Sequence, residues 1–218
     1  MDRGRPYARI RFAKHGLIAY VGHLDLARTF DRAVRRSGLP VAYSEGFNPR
    51  AKIAFASPLP VGVESEAELC IVDLVAPVDP REFHRRLSAQ LPPSLQIVEL
   101  GGGYRGRRSP LADIAYAEYL AELRVSCSAA EVEAAVNAVL AAESVMAWRR
   151  TKSGEGEQEI RPGIVELEVV DVEARRLRMR LQIAGENVAK PAEVVEALHE
   201  RLGGGSCEVE RLTRTALF

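Results

Sequence analysis

The sequence predicts an α+β protein of two tandem βαββαβ units, and three observations carry the prediction. Before residue 100 the hydrophobic periods run strand, helix, two strands, helix, strand; residues 101–112 are glycine-rich, basic and aperiodic; over 113–218 the same order of periods returns. That order is the split arrangement termed ferredoxin-like, with helices on one sheet face and the other face left free. The halves are not visibly similar in sequence, so the duplication rests on element order. The expected domains are therefore 1–100, a linker at 101–112, and 113–218.

In the first unit, Tyr7–Ala13 places Tyr7, Arg9, Arg11 and Ala13 on one side and Ala8, Ile10 and Phe12 on the other, as a half-buried strand does. Lys14-His15-Gly16 and the apolar segment Leu17–Val21 lead to a helix from about Leu24 to Ser37. Its Leu26, Phe30, Ala33 and Val34 recur at the spacing of a core-facing stripe. Gly38 and Pro40 end it, one as a left-handed cap and the other because it cannot continue a helix. Val41–Ser44 and Lys52–Ala56 read as strand pieces around the turn Glu45-Gly46-Phe47-Asn48-Pro49-Arg50. After an extended connector, Ser57–Gly62, come a strand at Ala67–Leu74, a helix at Asp79–Leu91 with Asp79 as cap and Pro80 in its first turn, and a strand at Gln96–Leu100. Gly101, Gly103 and Gly106 have the spacing of a phosphate loop, but a strand follows where such a loop needs a helix.

The second unit opens with a strand at Ala117–Val125 and a helix at Ala129–Ala142, whose first turns hold Glu131 and Glu133 where the helix dipole favours acids. A strand at Val145–Thr151 and a hydrophilic turn at Lys152–Gln158 follow. Ile164–Val170 and Leu177–Ile183 alternate as a hairpin around Asp171–Arg175. Pro191–Leu202 is a helix with Val194, Val195, Leu198 and Leu202 inward, stopped by Gly203-Gly204-Gly205, and Cys207–Thr213 closes with a strand.

Composition narrows the function classes. A chain of 218 residues with 47% hydrophobic and 28% charged residues is a soluble globular protein, not a disordered one. No apolar run approaches the roughly 20 residues of a membrane span, and the N-terminus lacks the order of a secretory signal, so the expected location is cytoplasmic. Cys70, Cys127 and Cys207 are sparse and far apart, which fits reduced packing thiols and gives no spacing for a metal or iron–sulfur cluster. None of the histidine pairs, among His15, His23, His84 and His199, has metal-ligand spacing on a helix. No cofactor and no metal are expected. The net charge of zero hides an asymmetry: residues 1–60 carry eleven Lys and Arg against four acids, so +7 is balanced by −7 elsewhere. A basic region on a neutral protein points to a polyanion or an acidic partner meeting one face.

The candidate binding residues concentrate between His23 and Pro60. Arg28, Arg32, Arg35 and Arg36 form a stripe opposite the apolar face, with Asp25 and Asp31 one turn before Arg28 and Arg35. A solvated face braced by Asp–Arg pairs explains it as well as a phosphate- or partner-binding stripe does, although four arginines with no lysine exceed what solvation requires. Tyr43, Phe47, Asn48, Arg50 and Lys52 join it from the following turn. Phe47 either plugs that turn onto its own core, the commoner outcome, or stands free beside Arg50 and Lys52 to stack on a base or ring. His23 near Asp25 is a weak candidate for a general acid or base, and local hydrogen bonding at a helix start explains it without catalysis.

The run His23-Leu24-Asp25-Leu26-x-Arg28-x-x-x-Arg32-Ala33-x-Arg35-Arg36-x-Gly38-Leu39-Pro40, then Tyr43-Ser44-x-Gly46-Phe47-Asn48-Pro49 and Pro58-Leu59-Pro60-x-Gly62, resembles the radical SAM-linked family DUF2344 over the first third of the chain. The chain departs from that pattern at Arg50-Ala51, where His-Pro commonly follows Asn-Pro, and near Ile71, where an Asp is common. The resemblance implies a partnership with a radical SAM enzyme. Such an enzyme needs a closely spaced cysteine triad that this chain lacks, so the expected role is the non-catalytic accessory: a module that presents RNA or another large substrate to a separate catalytic subunit. RNA is the first choice on the paired architecture and the arginine-rich helix. A protein-interaction scaffold without RNA, and an independent RNA-processing enzyme using His23, are the alternatives.

Overall fold

The computed structural model describes residues 4–106, 108–151, 154–171 and 175–218. Asp2 and Arg3 of the basic N-terminus, Arg107 of the expected linker, Lys152 and Ser153 of the hydrophilic turn and 172–174 of the expected hairpin lie outside these residues. The fold is α+β, and the chain divides into two compact units after Ile114.

The first unit contains β1 (Arg5–Lys14), α1 (His23–Ser37), β2 (Ile53–Phe55), β3 (Glu64–Asp73), α2 (Pro80–Ser88) and β4 (Leu95–Arg105), with a 3₁₀ turn at Gly16–Tyr20. Its strands lie in the order β4-β1-β3-β2, every pair antiparallel. Alternation decides the buried side of β1, where Ala8, Ile10 and Phe12 meet Leu26, Phe30 and Val34 of α1 and Phe83 and Leu87 of α2. Phe12 and Phe30 pack with ring centroids 4.8 Å apart, a tilted aromatic pair inside the core. The arginines of the other side of β1 turn to β4, Arg9 and Arg11 reaching Glu99 at 3.4 and 3.9 Å. Gly38 ends α1 at φ +63°, a left-handed conformation that glycine adopts without strain. Arg86 of α2 then donates to the Ser37 carbonyl at 2.8 Å, tying the two helix ends together.

Two expectations in this half are corrected. Gly101–Arg105 is not linker but the second half of β4, paired with Arg5–Arg9. Its glycines hide the period because their partners supply the side chains: Arg9 lies over Gly101 and Tyr7 over Gly103, each 3.8 Å from where a Cβ would stand. Val41–Ser44 is not a strand but two isolated bridges, Val41 to Leu74 and Tyr43 to Ala51. At the far end of β4, Arg105 closes on buried Asp73 of β3 through two hydrogen bonds of 2.8 and 2.7 Å, and Arg5 adds a contact at 3.5 Å.

The second unit contains β5 (Tyr116–Val125), α3 (Ala129–Ala141), β6 (Met146–Thr151), β7 (Gly154–Glu159), β8 (Ile164–Val169), β9 (Arg176–Gln182), α4 (Pro191–His199) and β10 (Cys207–Leu217). Its main strands lie in the order β10-β5-β9-β8, all antiparallel. Ala117, Tyr119, Ala121 and Leu123 alternate inward on β5, matched by Leu177, Met179 and Leu181 on β9. Ser128 and Glu131 form a reciprocal capping box at the start of α3. The hydrophilic turn is corrected over Gly154–Gln158: this stretch belongs to β7, which pairs only with β6 as a separate two-stranded sheet. That hairpin is held from below by Arg149, which makes two 2.6 Å hydrogen bonds to Glu193 of α4 and one to the Val188 carbonyl.

Candidate functional site

The polar side of α1 faces the loop that precedes β2, and two of its side chains hold that loop in place. Arg35 Nε donates to Asp31 Oδ2 at 2.8 Å, one helical turn back. Beyond the helix, the Ala51 N–H donates to Asp31 Oδ1 at 3.0 Å and Arg35 donates to the Pro49 carbonyl. The Arg35 guanidinium also lies over Tyr43, 5.2 Å from the ring centroid. Ser44 completes the frame: its Oγ accepts from the Arg50 N–H at 3.0 Å and its N–H donates to the Arg50 carbonyl at 2.8 Å. Gly46, at φ +111°, makes the turn that a side chain would strain.

Burial raises the Asp31 carboxyl, but the Arg35 hydrogen bond, the Ala51 N–H and the charges of Arg35 and Arg50 outweigh it and hold it below its ordinary 3.8. A carboxyl depressed in the folded state adds stability above its unfolded pKa and loses it as pH falls through the folded value. The loop is therefore expected to loosen below about pH 4. Asp31→Ala is expected to loosen it at neutral pH by about 1–3 kcal/mol, the cost of orphaning the Ala51 N–H and Arg35. Hydrogen exchange at Arg50 and Ala51, normalised to the unfolded rate at each pH, checks both.

Between this frame and the helix opens a cleft of about 750 Å³, within the roughly 300–1,000 Å³ typical of ligand sites. Arg28, Arg32 and Arg35 stand on one wall and Asn48, Pro49 and Arg50 on the other. His23, Ala27, Ile53 and Phe55 are its half-buried lining. Arg28 is mostly exposed and paired at 2.8 Å with equally exposed Asp25, a contact worth at most about 1 kcal/mol. Arg32 donates to the Thr29 hydroxyl at 3.2 Å. Neither Arg32 nor Arg50 has a carboxylate within ion-pair distance among the described residues.

Five of the sequence-derived binding residues thus meet at one cleft: Arg28, Arg32, Arg35, Asn48 and Arg50. Tyr43 supports Arg35 without lining the cleft, and Lys52 does not line it. Arg36 leaves the stripe and donates to the Gln90 carbonyl at 3.1 Å beyond the end of α2. Phe47 is fully exposed at the loop tip, which overturns the expectation of a core plug. His23 and Asp25 do not assemble as a dyad. The carboxylate goes to Arg28, and the imidazole stands edge-on to Phe55 with ring centroids 5.4 Å apart. Ala27, Ile53 and Phe55 were not anticipated. Ile53 and Phe55 share a strand face, and Ala27 lies one turn after His23, but which face the helix would cover depends on packing that no local pattern records.

Burial pushes the Cys70 thiol far up, and burial, with Cys127 nearby, raises Cys207 to about 11, so neither of these two is an activated thiolate. Among the described residues no group of three His, Cys, Asp or Glu is placed to hold a metal ion, and no helix is long and apolar enough to cross a membrane.

The family described as "Uncharacterized protein conserved in bacteria (DUF2344)" matches residues 8–191. No curated protein matches the chain. Among solved structures, a chain of a Cbf5-Nop10-Gar1 complex is similar with a TM-score of 0.53 and 11% identity, over 96% of this chain and 48% of that one. Chains of an archaeal box H/ACA sRNP Nop10-Cbf5 complex and of an H/ACA RNP bound to a substrate RNA containing 2'-deoxyuridine follow at TM-scores of 0.45 and 0.47, each at 13% identity over 95% of this chain and 46% of the other. The chain spans about half the length of these structures, and at such identity the likeness is one of fold alone.

Proposed function

The chain belongs to the DUF2344 family, and from that premise we propose that it is a non-catalytic accessory that holds RNA in the arginine-walled cleft of its first unit for a separate radical SAM enzyme. The observation that carries the RNA reading is the cleft itself. Arginines stand on both walls, two of them without carboxylate partners among the described residues, and the aromatic ring of Phe47 stands free on the loop that forms the second wall. Guanidinium groups suit phosphate oxygens, and a free aromatic ring suits a base face. The radical SAM partner rests on the sequence resemblance and on the lack of a cluster-binding cysteine triad. The strand orders β4-β1-β3-β2 and β10-β5-β9-β8 support reading each unit as ferredoxin-like, the second with the β6–β7 hairpin inserted. His23, edge-on to Phe55 and without a carboxylate partner among the described residues, supports a binding role over acid–base chemistry.

Phe47→Ala separates this reading from a structural one. With its ring fully exposed, Phe47 contributes little to folding, so the melting temperature is expected to hold while RNA affinity falls by about 1–3 kcal/mol. Capture of the tagged protein from its own cells, with and without ribonuclease, tests the whole proposal. RNA together with a cluster-bearing radical SAM enzyme is the expected catch. The enzyme alone, unaffected by ribonuclease, would replace the proposal with a protein-docking scaffold.

A further inference from the structure

We infer that the cleft takes one unpaired nucleotide, its base against Ala27, Ile53 and Phe55 and its phosphates on Arg28, Arg32 and Arg50, so that the protein holds single-stranded or looped-out RNA and not duplex. The inference rests on the RNA reading above and names the substrate class of the same site. Cationic walls alone would suit any nucleic acid, because a duplex carries its phosphates outward. The lining is what discriminates. Ala27, Ile53 and Phe55 are apolar and half-buried, and Ala27 is the small residue that keeps the space open between the turns bearing His23 and Asp31. A duplex keeps its base faces stacked inside and would leave this surface wet, whereas an unstacked base covers it.

The remaining groups fit the same occupant. Among the described residues neither ring nitrogen of His23 has a hydrogen-bond partner, and the imidazole is fixed edge-on to Phe55 at 5.4 Å. It is thus placed to read the edge of a base lying on the lining. Asp31, the one acid on the cleft, is engaged by Arg35 and the Ala51 N–H, so it does not oppose a phosphate as an unpaired carboxylate would. A free mononucleotide offers the same base and phosphate chemistry. The strand is favoured because cations stand on both walls, more than one phosphate uses, and because Phe47, next to Asn48 of the wall, is exposed outside the lining and open to a further base.

The test uses the full chain and three probes: a short single-stranded oligoribonucleotide with 2-aminopurine at its centre, the same oligonucleotide annealed to its complement, and adenosine 5'-monophosphate. The single strand is expected to bind with a change in 2-aminopurine fluorescence and the duplex to bind at least about tenfold more weakly. Ala27→Phe, which fills the cleft without altering charge, is expected to weaken the single strand at least about tenfold and the duplex less than the single strand. Duplex binding as tight as single-strand binding overturns the inference on the wild-type protein alone, even if the variant fails to fold. A folded Ala27→Phe protein with unchanged single-strand affinity overturns it too. Mononucleotide binding as tight as the oligonucleotide overturns the strand as occupant. No binding of any RNA by folded protein overturns the RNA reading beneath it.

Discussion

Changing Arg28, Arg32 and Arg50 together to Gln is expected to lower RNA affinity about a hundredfold at roughly 0.1 M salt and to flatten the salt slope by about 2, since each phosphate contact on a single strand carries about 0.7 of that slope. The three were chosen by geometry. Arg28 and Arg50 are exposed and Arg32 meets only a hydroxyl, so their loss costs the fold little beyond the surface pair with Asp25 and the charge that Arg50 adds near Asp31. Arg35 and Arg36 are left intact because one holds Pro49 and Asp31 and the other holds Gln90. Changing them would loosen the loop and the end of α2 and confuse folding with binding. Filter binding across a salt series checks the expectation, and an unchanged slope moves the polyanion site away from the cleft.

Asp73→Ala is expected to be among the most damaging single changes to the first unit, at about 3–5 kcal/mol. Asp73 is buried, with two hydrogen bonds to Arg105 and a second cation, Arg5, at 3.5 Å. Removing the carboxylate leaves Arg105, itself largely covered, without its partner, and it unfastens β4 from the strand two places away in the sheet. Thermal unfolding is expected to fall by about 10 °C or more. Arg105→Ala is expected to do comparable damage, and the double variant less than the sum, because both remove the same pair. A loss below about 1 kcal/mol for either would mean that the pair contributes no more than a surface contact does.

The legible parts of the fold were those whose side chains record their own surroundings. β1, β5 and β9 alternate because one face of each meets a core, and α1 and α2 carry apolar stripes for the same reason. β7, Gly154–Glu159, has no apolar alternation because it pairs only with β6 and packs no continuous core beneath it, so its residues look like a turn. The Gly101–Gly103 run is strand because Tyr7 and Arg9 of its neighbour cover it, and a glycine carries no mark of what covers it.

The site divides in the same way. The spacing of Asp25, Arg28, Asp31 and Arg35 made the local pairs readable, and both pairs are present. What Arg35 and Asp31 do beyond the helix was not readable, because Pro49 and Ala51 are reached through the folded loop and not through helical period. Arg36 sits one residue from Arg35, and that single step turns it away from the cleft to the end of α2. Phe47 could not be placed from its type, since a phenylalanine in a loop is covered or exposed according to contacts distant in the chain.

The most direct measurement of the central claim is ultraviolet crosslinking of bound RNA to the intact protein, followed by mapping of the crosslinked peptides. The account predicts crosslinks within His23–Phe55, with Phe47 prominent among them. Crosslinks confined to residues 115–218, or none at all from a protein shown to be folded, would contradict it.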